Sequence, residues 1–94
     1  MSMGKVRKHI RFTGRVQGVG FRYRAAYAAR SLGVTGWVTN LDDGSVEMEA
    51  QGTEEQIQRI LSMLNGDSYI VIEKMEINEL PTKFIEKGFH VKGY

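Results

Sequence analysis

Cysteine is missing altogether from this 94-residue chain, and with it go disulfides, thiolate nucleophiles and thiolate metal sites. Histidine is scarce. His9 and His90 are the only two, and neither stands at helical i, i+4 spacing from another ligand type, so no dedicated metal site and no cofactor are expected. Both imidazoles are expected on solvent-facing strand positions. No apolar run approaches the roughly 18 residues of a membrane span, and the opening Met1-Ser2-Met3-Gly4-Lys5 lacks the apolar stretch of a signal peptide. A cytoplasmic protein is expected, with residues 1–5 as a flexible segment of one domain covering 1–94. Acidic residues are absent from the first 41 positions, which carry eight basic ones, whereas the remainder holds eleven acidic against five basic. A one-signed half would gather anions, either small phosphates or nucleic acid. The alternative is that folding interleaves the halves and mixes the signs.

What is present is ordinary for a soluble globular chain: 41 % apolar and 26 % charged residues. From Val6 to Val16 the even positions Val6, Ile10, Phe12 and Val16 are apolar and the odd ones polar, interrupted only by Lys8 and Gly14. A period of two is that of a half-buried strand. Gln17-Gly18-Val19-Gly20 reads as a turn. A helix is expected from about Phe21 to Leu32, with Phe21, Ala25, Ala28, Ala29 and Leu32 on one face and Gly33 as its stop. Two strands, Trp37 to Asn40 and Ser45 to Gln51, flank Asp43-Gly44, a hairpin signal. Thr53 and Gln56 have capping-box spacing ahead of a stripe of Ile57, Ile60, Leu61 and Leu64. Tyr69 to Leu80 reads as a fourth strand, Pro81 and Gly88 bound a loop, and Phe89 to Tyr94 can add an edge strand. The order β-α-β-β-α-β predicts an α+β, ferredoxin-like two-layer sandwich, an antiparallel sheet with two helices on one face. The fold assigns no function.

Chemistry concentrates where the first strand hands over to the first helix. Gly18 and Gly20 permit positive φ and let a ligand approach without meeting a Cβ. Successive N–H groups in such a turn can then point into one concavity, and the first helical amides lack partners of their own. Both features favour an anion, as does the helix dipole. Arg22 lies at the wrong end of that dipole with no acidic neighbour in sequence, a conflict that a bound phosphate resolves. The competing reading is a glycine turn with a solvated arginine. There is no G-x-x-x-x-G-K-[ST] and no G-x-G-x-x-G, which excludes the two common nucleotide loops. Asn40, ending a strand on the face shared with Val38, could hold a water through its amide or could simply begin the turn.

At these residues the sequence resembles the acylphosphatase family. The resemblance rests on Gly14-Arg15-Val16-Gln17-Gly18-Val19-Gly20-Phe21-Arg22, on Leu32-Gly33-Val34-x-Gly36-Trp37-Val38-x-Asn40, on Asp43-Gly44-Ser45-Val46-Glu47, and on Gly52 before the second helix. It spans about residues 6 to 94 and implies metal-independent hydrolysis of an acyl phosphate to a carboxylate and inorganic phosphate. By position, Arg22 and the amides of Gln17, Gly18, Val19, Gly20 and Phe21 would bind the phosphoryl oxygens, and Asn40 would orient the attacking water. The sequence departs from the family late: Asn65-Gly66-Asp67-Ser68 replaces a Gly-Pro-rich stretch, and Gly93 separates Lys92 from Tyr94. The second departure leaves the register of the last strand open and is expected not to touch the site.

Such a sparse site suits this reaction, because phosphoryl transfer is catalysed mainly by positioning and charge neutralisation. A carboxylate leaving group, whose conjugate acid has a pKa near ~4, departs without a general acid. Two other readings stand beside the enzyme. One is a non-catalytic phosphate-binding module, of the kind found in larger carbamoyl-transfer proteins. The other is an RNA-binding domain, which needs aromatics on its central strands; the first and third strands offer only Phe12, on the core face. The expected partner is a small acyl phosphate, with no membrane or nucleic acid and a monomeric chain.

Overall fold

The computed structural model describes residues 4–93, so the expectation of flexibility at residues 1–3 and the placement of Tyr94 lie outside the described residues. The elements follow in the expected order: β1 (Val6–Arg15), α1 (Phe21–Leu32), β2 (Thr35–Asn40), β3 (Val46–Gly52), α2 (Glu54–Asn65), β4 (Val71–Leu80) and β5 (Phe89–Lys92). The fourth strand starts two residues later than its apolar pattern suggests. Asp67 captures the Tyr69 amide with its side chain and the Ile70 amide with its carbonyl, so these residues close a turn first.

The sheet order is β4-β1-β3-β2-β5. β1 pairs antiparallel with β3 and β4, and β2 antiparallel with β3. β5 pairs parallel with β2, so the sheet is mixed, not antiparallel throughout. The reason is directional. β4 and β2 run opposite ways on opposite sides of the sheet, and a strand that reverses direction after β4 must enter beside β2 running the same way. This arrangement brings the ends of β1, β2 and β5 and the start of α1 to one end of the molecule.

The helices cover one face, where Ile10, Phe12, Val16, Val38, Val46, Met48 and Ala50 meet the alanines of α1 and Ile57, Ile60, Leu61 and Leu64 of α2. Four small alanines, Ala25, Ala26, Ala28 and Ala29, are buried on α1, and they let that helix lie close to the sheet. The ring of Phe21 packs on that of Phe12, centroids 4.8 Å apart, which fixes the first turn of α1 against β1. α2 opens with the expected capping box: Thr53 Oγ1 accepts from the Gln56 amide at 3.2 Å, and Gln56 Oε1 accepts from the Thr53 amide at 2.9 Å, an arrangement that satisfies two helix-end donors.

The opposite sheet face departs from the alternation. Arg7 occupies a polar-phase position of β1 yet is only 1 % exposed, because the segment 81–88 crosses beneath it. Its guanidinium donates to Glu49 at 2.8 Å, to Gln51 at 3.3 Å and to both oxygens of Glu86 at 2.7 and 3.0 Å. Gln51 in turn exchanges two hydrogen bonds with the backbone of Lys83. Burial alone would raise the Glu86 carboxyl, but hydrogen bonds from Arg7 and Thr35 and the charge of Arg7 outweigh it and hold the pKa below the usual carboxylate value. Arg7→Ala is expected to destabilise the fold by about 2 kcal/mol, since it strands two partly buried carboxylates; urea unfolding at neutral pH will measure this, and a midpoint equal to wild type would contradict it.

The charge halves interleave. Lys8 pairs with Glu54, His9 with Glu47, Arg11 with Asp43 and Glu76, and Arg24 with Asp67. His9 is half-buried through its bond to Glu47, while His90 is exposed with its ring against the Lys87 carbonyl. Together with Arg7, four of the eight basic residues of the first half are thus paired with carboxylates of the second.

Candidate active site

The loop between β1 and α1 is built from alternating roles. Val16 is buried and Val19 packs partly against the core, so two side chains anchor the loop inward. Gly18 and Gly20 between and after them take left-handed backbone with φ of 74° and 79°, and nothing lies within 4 Å of where a Cβ would stand at either position. The requirement there is conformational, not steric: a side chain would strain the loop by roughly 1–2 kcal/mol without colliding with anything. Gly20 is the N-cap of α1 and offers no side-chain cap, and the first turn contains no acidic residue. The helix therefore presents its amino end, with its dipole, to whatever fills the loop.

Arg22 projects from that first turn into a cavity of about 330 Å³ lined by Gln17, Arg22, Asn40, Leu41, Asp42 and Gly93. Arg22 and Asn40 also line a second cavity of about 190 Å³ with Val16, Gly18, Gly20, Phe21 and Tyr23. The three parts named from sequence, the glycine loop, Arg22 and Asn40, therefore meet at one place. Sheet register explains the meeting. Asn40 is opposite Val46, and Val46 is opposite Phe12, so Asn40 is level with the last residues of β1. Its odd-numbered neighbour Thr39 is opposite Lys92 on β5, which sets Gly93 level with Asn40.

Arg22 Nη1 donates to the Lys92 carbonyl at 2.8 Å. Part of the compensation that the sequence assigned wholly to a bound anion thus comes from the end of β5. The expectation that the departure at Gly93 leaves the site untouched is overturned. Gly93 lines the cavity, and a Cβ there would stand 3.4 Å from Arg22 Nη1. That distance is ordinary contact; what favours glycine at position 93 is its left-handed backbone, with φ of 81°.

Two further contributors escaped the sequence. The side chain of Gln17 donates from Nε2 to the carbonyls of Leu41 at 2.7 Å and Ser45 at 2.8 Å. The only available signal was a long polar side chain inside an otherwise small-residue turn. Asp43 accepts from both the amide and the hydroxyl of Ser45 and from Arg11, pinning the hairpin that carries Asn40. Those Ser45 bonds and then the Arg11 guanidinium lower the Asp43 carboxyl from 3.8 to about 2. The charged form is the one favoured by folding, so its contribution is complete above the ordinary carboxylate value and fades as pH falls toward 2. Wild type is expected to lose more stability between about pH 4 and 2 than Asp43→Asn does; parallel acid-dependence curves for the two would refute the role.

Among the described residues no three His, Asp or Glu side chains gather as metal ligands, and no helix is long and apolar enough to cross a membrane. Phe12, the one aromatic that an RNA-binding reading could have used on the central strands, is fully buried.

Comparison with known proteins identifies the family. The family profile for acylphosphatase matches residues 8–91, which include the whole loop, Arg22 and Asn40. An acylphosphatase of Bifidobacterium longum strain NCC 2705 is 47 % identical over 81 residues, 85 % of this chain and 84 % of that one. The crystal structure of acylphosphatase from Bacillus subtilis superposes with a TM-score of 0.85 at 32 % identity, covering 94 % of this chain and 99 % of its own. Full-length HypF in a phosphate- and nucleotide-bound form matches with a TM-score of 0.82 at 26 % identity, over 96 % of this chain but only 12 % of HypF. The chain belongs to the acylphosphatase family, enzymes that hydrolyse acyl phosphates.

Proposed function

We propose that Arg22 and the amides of Gln17, Gly18, Val19, Gly20 and Phe21 bind the phosphoryl group of the acyl phosphate, while Asn40 orients the water that attacks it. The observation carrying this reading is that Arg22 and Asn40, one from a helix and the other from a strand, line the same two cavities beside the glycine loop. Loop amides, helix dipole and guanidinium would neutralise the equatorial oxygens, where charge must be balanced as the bond to the leaving group loosens. Asn40 can accept from water and donate at once. As the water's oxygen joins phosphorus and the P–O bond to the acyl group breaks, the carboxylate leaves with the bonding pair and needs no proton. The proton lost by water passes to a phosphate oxygen of the substrate itself. Neither a metal nor a side-chain general acid has a task in this scheme.

The test is hydrolysis of acetyl phosphate or benzoyl phosphate in excess chelator, with inorganic phosphate added as a competitor. Full activity under chelation and competitive inhibition by phosphate are expected. Loss of activity that divalent metal restores would overturn the mechanism, and phosphate that fails to compete would remove the loop from it.

A further inference from the structure

The side chain of Gln17 joins two segments that the reaction needs at a fixed spacing. Its backbone belongs to the phosphate loop, whereas its Nε2 donates to Leu41 O at 2.7 Å and Ser45 O at 2.8 Å. Both acceptors are backbone carbonyls, so only the NH₂ end of the amide can serve them, and both of its hydrogens are used. They also bracket the residue of interest. Leu41 follows Asn40 directly, and Ser45 precedes Val46, the cross-strand partner of Asn40. The Leu41 amide returns to the same Ser45 carbonyl at 2.9 Å, so Gln17 caps the mouth of the hairpin at the point where the strand pair opens.

Nothing else in the hydrogen-bond pattern found for the described residues ties residues 17–20 to the hairpin. The β1–β3 ladder ends at Phe12 and Val46, and β1 is bound beyond that point to β4, on the far side. From the structure we infer that Gln17 is a positioning residue for acyl phosphate hydrolysis: its side chain sets the distance between the phosphate held by the loop and the water held by Asn40. This inference rests on the roles proposed above for the loop and Asn40. In-line attack is steep in geometry, and a displacement of about 1 Å can cost on the order of 10²-fold in rate. A loop no longer tied to the hairpin would still bind phosphate, because its amides, dipole and Arg22 are intact.

The experiment is a double-mutant cycle on kcat, with the inhibition constant of inorganic phosphate as the second readout. Gln17→Ala is expected to lower kcat by about 10-fold or more while the phosphate constant moves less than about 3-fold. In an Asn40→Ala background the same change should cost less than about 2-fold, because no positioned water remains to be misplaced. Gln17→Glu, of equal shape, faces two carbonyls with a carboxylate at neutral pH. Its kcat relative to wild type should recover as acid protonates the carboxyl and restores one donor. Unchanged kcat in Gln17→Ala, a loss that multiplies fully with that of Asn40→Ala, or no acid recovery in Gln17→Glu would each overturn the inference. If Asn40→Ala alone turns over like wild type, the underlying role of Asn40 fails and the inference falls with it. An inactive Asn40→Ala beside a fully active Gln17→Ala would sink the inference alone.

Discussion

Arg22→Ala is expected to reduce kcat/KM by at least ~10³-fold, equivalent to ~4 kcal/mol of transition-state stabilisation, and to weaken inhibition by inorganic phosphate in the same variant. Among the described residues the guanidinium is the only cationic side chain lining either cavity, so none of these neighbours can take over its charge. Its planar fork also matches two phosphoryl oxygens at once, which a lysine ammonium cannot do. Arg22→Lys should accordingly recover part of the phosphate affinity and little of the turnover. A structural explanation for the loss is separable. Arg22 holds the Lys92 carbonyl and lies over the Tyr23 ring, and the variant forfeits both, but contacts of this kind each contribute only about 0.5–1.5 kcal/mol to folding. The folded population at room temperature should be unaffected, as thermal unfolding followed by circular dichroism will show. A variant that stays folded and hydrolyses acetyl phosphate at the wild-type rate would remove Arg22 from the mechanism.

The sequence and the structure agree where short-range periodicity decides the outcome and part where one side chain's partner comes from far along the chain. Ile10 and Phe12 on β1 and Val16 just after it enter the core because they have nowhere else to bury, and the capping pair Thr53 and Gln56 is legible because both partners lie within one helical turn. Arg7 illustrates the opposite case. Its burial depends on Glu86, 79 positions away, and on a loop whose own pattern, with Phe84 and Ile85 exposed, gives no sign of covering anything polar. The direction of β5 was likewise invisible, since a four-residue strand carries no information about which edge it joins; topology alone sends it to β2. The site divides in the same way. The glycine loop, Arg22 and Asn40 were readable from residue type and spacing. Gln17's side-chain bonds and the approach of Gly93 to Arg22 exist only once β2, β5 and the loop share one end of the sheet.

Asn40→Ala is expected to behave differently from the arginine variant, and the difference is the sharper test of the proposed division of labour. Asn40 would act on the water and not on the phosphate, so its loss should lower kcat by about 10²- to 10³-fold while inorganic phosphate inhibits within about 3-fold of wild type. Stability should hardly change, because Asn40 ends its strand and is only partly buried. Asn40→Asp separates hydrogen bonding from shape. The carboxylate keeps the outline and an acceptor for water but loses the donor and adds a negative charge beside the phosphoryl group. It should therefore lose turnover as the alanine does and, unlike the alanine, also lose phosphate affinity, most strongly at low ionic strength where the repulsion is least screened. Equal phosphate affinity in Asn40→Asp and Asn40→Ala would mean that residue 40 does not face the bound phosphate. Loss of phosphate affinity in Asn40→Ala, matching that of Arg22→Ala, would mean that Asn40 grips the phosphoryl oxygens itself, and the attacking water would then need another holder.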